Sequence, residues 1–549
     1  MKHLSIVQVA FFGWVCGGQL AANAQNVQSP SPRAVEVAGE HARDVSRPLR
    51  DVQSLGRLVS TSPDRPLRTT GIPHSAGGGV DPGLQSTALP MIGSTNGLNF
   101  AGVGDGDYGF IPNAAPPDTN GAVGATQYVQ WVNESFAVFD KTTGTIAAGF
   151  PKTGNTLWAD FKNPDGTPSN CATRNDGDPI VAYDKIAGRW VLTQFSVPSG
   201  GPYEQCVAVS TSGDAAGSYY RYSFSYGATQ FNDYPKLGVW PDAYYITYNI
   251  FNNAQTFAGA KLCALDRAKM LTGAAATQQC FQLSTSYGGV LPPDLDGITP
   301  PPAGAKAPFL NFSSNALNLW RFHVDFTTPA NTTLSSPFNI PVNPFTEACG
   351  GGTCIPQQGT NNQLDSLADR LMFRLAYRNL TGHESLVVNH SVKVSGTKRS
   401  EVDGIRWYEL RSVTAGNPSV YQQGTYAPAD SASTTSTTIS RWMGSMAMDK
   451  VGNIAVAYSA SSSSMYPSIR FASRPASATN ALGTLGAEQI ILNGTGAQTG
   501  TLHRWGDYSA LTLDPTDDCT FFYTTEYQKA NGSFNWSTRI ASFKLAGCQ

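Results

Sequence analysis

Short apolar strands separated by polar turns recur along the chain from about residue 98 onward. A typical copy begins with an acidic residue beside Gly or Pro, continues with an apolar strand and a tight polar turn, and ends with a second strand rich in aromatic residues. Clear copies open at Asp178 and Asp507. No stretch of ten or more residues has convincing helical periodicity, so the pattern predicts an all-β protein built from repeated hairpins.

The spacing of these repeats predicts a β-propeller, because sheets of this size pack radially and bury both faces against their neighbours. Successive units open 55 to 76 residues apart, and a third strand follows each hairpin. The openings are Asp118, Asp178, Asp233, Asp296, Asp365 (or Asp369), Arg441 and Asp507. We expect seven blades, with six or eight as alternatives, and a strand from Leu98–Val103 that closes the ring against the last blade. A β-sandwich with a second β-domain is the competing architecture.

The N-terminal 95 residues differ from the rest of the chain. Residues 1–24 have a basic start, a short apolar stretch and an Ala-x-Ala exit, which predict a secretory signal peptide and a mature chain that begins at Gln25. Residues 25–95 contain no aromatic side chain and only scattered aliphatic ones, so they predict a disordered leader or propeptide. The propeller is expected to span residues 96–549.

The cysteines indicate an oxidising compartment. Without Cys16 of the signal peptide, eight remain, and nearest-neighbour pairing is the simplest connectivity, although the sequence leaves other pairings open. We expect a secreted protein, extracellular or periplasmic, without a membrane span. A formal net charge of −2 gives no electrostatic reason to expect nucleic acid. No cofactor is predicted, and Ca²⁺ is the metal that clustered carboxylates would suit best.

The aspartates that open the units are the candidate catalytic residues. The innermost strands of a propeller begin at one mouth of the channel, so Asp118, Asp178, Asp233 and Asp507 would meet there and could supply general acid, base or nucleophile. The alternative is structural, because an aspartate before Gly or Pro often caps a turn.

Two Arg-Trp pairs and one tyrosine are the candidate substrate-binding residues. Arg441 and Arg504 could clamp an acidic group, Trp442 and Trp505 could stack on sugar faces, and Tyr508 could line the pocket. Packing between blades by cation–π contacts is the competing interpretation of the Arg-Trp pairs.

The segment Ser212–Tyr219 resembles the Asp-box turn of sialidase-like propellers, with one extra residue before Gly217. The resemblance implies a folding turn on the outside of a blade and carries no catalytic residue. The Arg-Ile-Pro motif of sialidases is absent, so no specific enzyme family is matched. In general character the chain is similar to exported bacterial β-propeller proteins.

Two functional hypotheses remain at this level. The first is an extracellular carbohydrate-active enzyme, a glycoside hydrolase or polysaccharide lyase that works on a glycan at the channel mouth. The second is a non-catalytic propeller that binds glycan or protein, as in adhesion. Propellers serve both purposes, so the architecture does not choose between them.

Overall fold

Antiparallel strands dominate the structure, a computed structural model that describes Met1, Asp64 and residues 34–56, 68–72, 81–397, 400–430 and 437–549. Apart from Met1, the predicted signal peptide lies outside the described residues. Within the described ranges, seven sheets have four to six strands each, and one further ribbon has two. The prediction of an all-β, seven-bladed β-propeller is confirmed.

Four strands from the N-terminal region precede the first blade. They are β1 (Glu36–Gly39), β2 (Ala42–Val45), β3 (Leu84–Gln85) and β4 (Ser94–Ala101). Blades 1 to 3 then each use four strands in chain order. Blade 1 has β5 (Asn120–Val123), β6 (Gln127–Val132), β7 (Ser135–Asp140) and β8 (Lys152–Thr153); blade 2 has β9 (Ile180–Asp184), β10 (Arg189–Ser196), β11 (Tyr203–Ser210) and β12 (Tyr219–Gly227); blade 3 has β13 (Gln230–Val239), β14 (Tyr244–Asn252), β15 (Thr256–Leu265) and β16 (Thr277–Gln282).

Blade 4 is irregular. The short strand β17 (Pro293–Asp296) lies between the inner strands of blades 3 and 5, and it pairs in parallel with blade 5. The other strands of blade 4 are β18 (Ala307–Ser313), β19 (Ala316–His323), β20 (Thr333–Leu334) and β21 (Phe338–Pro341). A loop then carries the ribbon β22 (Thr353–Ile355) and β23 (Leu364–Asp365) before blade 5 begins.

Blades 5 to 7 complete the ring. Blade 5 has β24 (Met372–Leu380), β25 (His383–Ser395), β26 (Val402–Arg411) and β27 (Ser419–Tyr426); blade 6 has β28 (Ser440–Met448), β29 (Ile454–Ser462), β30 (Met465–Arg474) and β31 (Gln489–Leu492); blade 7 has β32 (Ala510–Leu513), β33 (Thr520–Gln528) and β34 (Trp536–Leu545). Strand β4 pairs with β34 as the fourth strand of blade 7. The predicted closure of the ring by an N-terminal strand is therefore confirmed.

Helical segments are short. Among the described residues they are α1 (Asn170–Thr173), α2 (Arg267–Met270) and the 3-10 turns Leu49–Asp51, Asp107–Gly109, Gly154–Trp158, Pro329–Asn331 and Ala348–Gly351. None of the described helices is long and apolar enough to cross a membrane.

The described part of the predicted leader is integrated into the blades. Strands β1, β2 and β3 pair with β16, β12 and β27, the outermost strands of blades 3, 2 and 5. The expectation of disorder is therefore wrong for these residues. A polar segment cannot form a core of its own, but its backbone can satisfy the open hydrogen-bonding edge of a sheet without burying apolar side chains.

Four disulfides join nearest neighbours along the chain, as the simplest pairing predicts. They are Cys171–Cys206, Cys263–Cys280, Cys349–Cys354 and Cys519–Cys548. The last one ties the start of β33 to the C-terminal end of blade 7. Four disulfides are consistent with an extracellular environment.

The Asp-box-like segment forms a turn between β11 and β12, the third and fourth strands of blade 2. The Asp214 carboxylate accepts a hydrogen bond from the backbone N–H of Ala216 at 2.9 Å and one from the Gln127 side chain at 3.0 Å. Asp214 therefore stabilises the turn and also links blade 2 to blade 1 through Gln127.

Candidate functional site

The inner strands of the seven blades surround one channel, and we call the end at which they begin the entry mouth. Asp118 lies two residues before β5, Asp178 two residues before β9, and Asp507 three residues before β32. Asp233 lies in β13, where the pairing register shifts between Asp233 and Lys236. The structure thus brings together the four predicted catalytic aspartates.

Left-handed backbone conformations recur at this mouth. Asp118, Asp178 and Asp507 have φ angles of 48°, 48° and 59°, and the bulged inner strands of blades 3 and 6 place Tyr234 and Met443 at 55° and 54°. Such values are unfavourable for residues other than glycine and occur preferentially at functional sites. The repeated conformation turns the backbone at the start of the inner strand in five of the seven blades.

The carboxyl groups of the mouth differ in protonation. Burial first, and then the negative charges of Asp507 and Asp178, raise the pKa of Asp118 well above its ordinary value. Hydrogen bonding with the Asp178 side chain further raises the pKa of Asp118, while the charge of Arg504 opposes the shift. Burial, followed by the charge of Asp178, raises the pKa of Asp233 to about 7. The mouth therefore holds protonated and ionised carboxyls side by side near neutral pH.

Tyr508, one of the predicted substrate-binding residues, lies beside the mouth aspartates. Its hydroxyl donates a hydrogen bond to Asp178 Oδ2 at 3.0 Å, and its ring lies 5.5 Å from that of Tyr234. Because the hydroxyl fixes one carboxylate oxygen of Asp178, the tyrosine limits the orientations of that carboxylate.

A buried lysine, Lys236, was missed by the sequence reasoning. Its Nζ lies 3.3 Å from the centroid of the Tyr234 ring and 3.6 Å from that of Tyr508, and it donates to the Pro235 carbonyl at 2.9 Å. Burial lowers its pKa well below the ordinary value, while the charges of Asp178 and Asp118 oppose that shift. A lone cation inside the otherwise apolar strand around Leu237 was the available signal.

The arginines of the mouth are already paired. Arg504 forms an ion pair with Asp365 Oδ2 at 3.1 Å and another with Asp507. Arg370 binds both carboxylate oxygens of its neighbour Asp369, at 2.7 and 2.9 Å. These two guanidiniums therefore organise the protein's own carboxylates.

Glu526, at the end of β33, also lies beside the mouth. Its Oε2 accepts the backbone N–H of Gly506 at 2.7 Å, and burial raises its pKa well above the ordinary value. A carboxyl near the end of a second strand usually points to solvent or bridges blades, so its local sequence gives no signal for burial beside the mouth.

Arg441 does not belong to the entry mouth, and its predicted role in substrate positioning is wrong. Its Nε donates to Glu488 at 2.7 Å, and its guanidinium lies 5.9 Å from the ring of Tyr426 in the outermost strand of blade 5. Side chains alternate between the two faces of a strand, so Arg441 and Trp442 point in opposite directions.

Trp442 and Trp505 reach the wall of the mouth but cannot stack on a ligand in this conformation. Both side chains have no exposed surface, and their rings lie 5.9 Å apart. They pack with Leu364 and Leu367 of the loop before blade 5. In this structure both indoles pack in the core beside the mouth, and the aromatic ring beside the Arg441 guanidinium is that of Tyr426.

Asp296 lies towards the opposite end of the channel, which we call the far end. It accepts hydrogen bonds from Arg374 and Lys185, both at 2.6 Å. Arg374 also donates to the Leu511 carbonyl in blade 7, so its buried side chain spans the channel from blade 5. Arg374 therefore links the inner strands of blades 5 and 7 at the far end.

Within the described residues, one group has possible metal-ligand atoms within 4.8 Å of one another: Cys349, Cys354, Glu401 and Asp403. Both sulfurs are occupied by their mutual disulfide, so neither is available as a thiolate ligand. The weak expectation of Ca²⁺ at the carboxylates of the mouth stays a prediction.

No protein-family model matches the chain, and no curated protein matches it. Several solved structures are similar in fold. An α-L-arabinanase of Penicillium chrysogenum aligns with a TM-score of 0.37 and 8% identity over 83% of this chain and 100% of its own; the WD40 domain of SCAP from fission yeast has a TM-score of 0.32 and 9% identity over 77% and 81%; a polysaccharide lyase, an ulvan lyase of family PL25, has a TM-score of 0.27 and 11% identity over 79% and 81%. At this level of similarity these neighbours do not assign a function.

Proposed function

We propose that this protein is an extracellular glycoside hydrolase that acts on a neutral polysaccharide at the entry mouth. The observation that carries the proposal is the convergence of carboxyls from different blades at one mouth, where the pKa values of Asp118 and Asp233 are raised. Glycoside hydrolysis needs one carboxylic acid to protonate the leaving oxygen and one carboxylate to act as nucleophile or to activate water.

The proposed general acid is Asp233, because its pKa of about 7 keeps a proton available near neutral pH. The proposed base or nucleophile is Asp178, which Tyr508 orients and Asp118 stabilises in its charged form. Asp118 and Asp178 share a hydrogen bond, which makes them too close to serve as the reacting pair, whose carboxyls lie about 5–9.5 Å apart. Asp118 is therefore assigned to positioning.

The preference for a neutral sugar follows from the charges of the mouth. The six carboxyl groups of Asp118, Asp178, Asp233, Asp365, Asp369 and Asp507 outnumber the four cations of Arg68, Lys236, Arg370 and Arg504. Because Arg370 and Arg504 are engaged by Asp369, Asp365 and Asp507, they do not offer a free fork to a uronate carboxylate. Sugar hydroxyls, in contrast, donate well to carboxylates.

The test is an assay of the purified full chain on a panel of neutral and uronate-containing polysaccharides. We expect new reducing ends from a neutral polymer, and a loss of activity of 100-fold or more in Asp178→Asn and Asp233→Asn. Asp160→Asn, an exposed aspartate outside the mouth, serves as the matched control.

Other outcomes would overturn the proposal in different ways. Unsaturated products from a uronate polymer would identify a lyase. Binding of a glycan with no bond cleavage would identify the non-catalytic alternative, and equal activity in the aspartate variants would remove the mouth as the active site.

A further inference from the structure

A second cavity, of about 400 Å³, lies on blade 1 and opens on the same face as the entry mouth. Its walls include Tyr108, Phe110, Ile111 and Phe150 on one side and Glu134 with Asn175 on another. Glu134 lies in the turn between β6 and β7, at the end of the blade where β5 begins. The volume falls within the range of about 300–1,000 Å³ that small-molecule sites occupy.

The wall of this blade 1 cavity is continuous with the entry mouth through Asn133, the neighbour of Glu134. Its Oδ1 accepts the backbone N–H of Asp178 at 3.1 Å, and its Nδ2 donates to the Pro116 carbonyl at 2.8 Å, two residues before Asp118. One asparagine therefore links the turn that carries Glu134 to the backbone of Asp178 and to the segment that precedes Asp118.

The cavity is built by a fixed backbone. Tyr108 and Glu134, on different walls, both have left-handed φ angles, of 54° and 74°. The Glu134 carbonyl accepts hydrogen bonds from the Gly154 N–H at 3.1 Å and from Asn175 Nδ2 at 2.9 Å. The Tyr108 hydroxyl donates to the Ala101 carbonyl at 2.7 Å, which holds a ring that is 40% exposed.

We propose that this cavity is a distal subsite that binds further sugar units of the polysaccharide whose reacting bond lies at the entry mouth. The inference rests on the proposed function. Sugars have apolar ring faces and hydroxyl edges, so they suit a cavity with aromatic side chains on one wall and carboxylate and amide groups on another. The proposed occupant is a polymer, because one sugar unit lies at the reacting bond in the mouth while further units occupy the cavity.

The test measures binding of neutral oligosaccharides of two and six units to the full chain carrying Asp178→Asn, which prevents turnover. The probes are the xylo-, arabino- and manno-oligosaccharide series, and the readout is calorimetry. In this background we expect the ratio of six-unit to two-unit affinity to fall about tenfold when Tyr108→Ala or Glu134→Gln is added. Tyr421→Ala, an equally exposed tyrosine on blade 5, is the control and should leave the ratio unchanged.

A second readout does not depend on how the variants fold. The six-unit oligosaccharide, but not the two-unit one, should slow hydrogen exchange at residues 108–113 of the chain carrying only Asp178→Asn. An unchanged affinity ratio in both cavity variants, together with unprotected residues 108–113, would overturn the subsite while leaving the proposed function intact. Failure of every oligosaccharide to bind would overturn both.

Discussion

The two ends of the channel use the same residue type, an aspartate at the end of an inner strand, in opposite electrostatic settings. At the far end Asp296 is paired with Arg374 and Lys185, and Asp518 binds Arg378 at 2.6 and 2.7 Å. Although burial opposes it, the charge of Arg374 holds the pKa of Asp296 below its usual range. At the entry mouth, carboxyls outnumber cations, and the pKa values of Asp118 and Asp233 are raised.

The difference supports the proposal that the entry mouth is the reactive end of the channel. Pairs at the far end join blades that are not adjacent, because Arg374 and Arg378 of blade 5 reach blade 7 and Lys185 of blade 2 reaches β17. Fully compensated charges stabilise a ring but cannot exchange protons near neutral pH. The uncompensated carboxyls of the mouth destabilise the fold, and proton transfer requires that kind of carboxyl.

The largest expected effect comes from breaking the far end. Arg374→Met removes the guanidinium and leaves Asp294 and Asp296 buried with less compensation, so we expect a loss of about 3–5 kcal/mol in the free energy of unfolding. Urea denaturation followed by tryptophan fluorescence measures it.

A control variant in a partly exposed ion pair distinguishes the effect of losing a buried pair from the effect of losing one positive charge. Lys544 forms a partly exposed pair with Asp517, and Lys544→Met should change the free energy of unfolding by less than about 1 kcal/mol. Equal effects of the two substitutions would contradict the view that buried pairs secure the far end.

A smaller change in the free energy of unfolding is expected when one aspartate at each end, Asp233 or Asp296, is replaced by asparagine. The change should have opposite signs at the two ends. The folded pKa of Asp233 is about 7, so the free energy of unfolding of the wild type falls as pH rises from about 4 to about 7. We therefore expect Asp233→Asn to raise the free energy of unfolding by about 1–3 kcal/mol at pH 8 and to change it little at pH 4. The pKa of Asp296 is lowered, so its ionised carboxylate stabilises the fold above about pH 4. We therefore expect Asp296→Asn to lower the free energy of unfolding by a similar amount, about 1–3 kcal/mol, at both pH 5 and pH 8.

Urea unfolding of both variants at pH 4, 5 and 8 checks this prediction. If Asp233→Asn proved less stable than the wild type at pH 8, the carboxyl would be a structural partner and not an uncompensated acid.

The smallest expected effect concerns the pH dependence of turnover. Loss of the Asp233 proton should lower kcat/KM about tenfold per pH unit above pH 7. Profiles from pH 5 to 9 on the polysaccharide found by the panel measure the alkaline limb, and Asp160→Asn should keep it. Residual activity in Asp233→Asn with the same alkaline limb would assign the acid to another residue.

The repeat pattern of the sequence predicted the number of blades, the disulfide pairing and the closing strand. These features depend on order along the chain: a hairpin pairs with its neighbour, and a disulfide between adjacent cysteines lies within one unit. The same periodicity located Asp118, Asp178, Asp233 and Asp507 at strand openings, and the structure places them at one mouth.

The direction and pairing of individual side chains were beyond the sequence. Strand register decides that Arg441 points away from the mouth and that Trp442 and Trp505 are buried. The position of Asp296 depends on how the irregular blade 4 packs. Partners hundreds of residues apart, such as Lys185 with Asp296 or Tyr508 with Asp178, leave no local signal.

By itself, the sequence determined a ring of hairpin units with an acidic residue at most openings, because strand periodicity and turn chemistry are local properties. Only the tertiary structure decided which acids are compensated and which remain free to hold or lose a proton. That distinction depends on cations contributed by distant blades and on the burial of Lys236, Asp118 and Asp233.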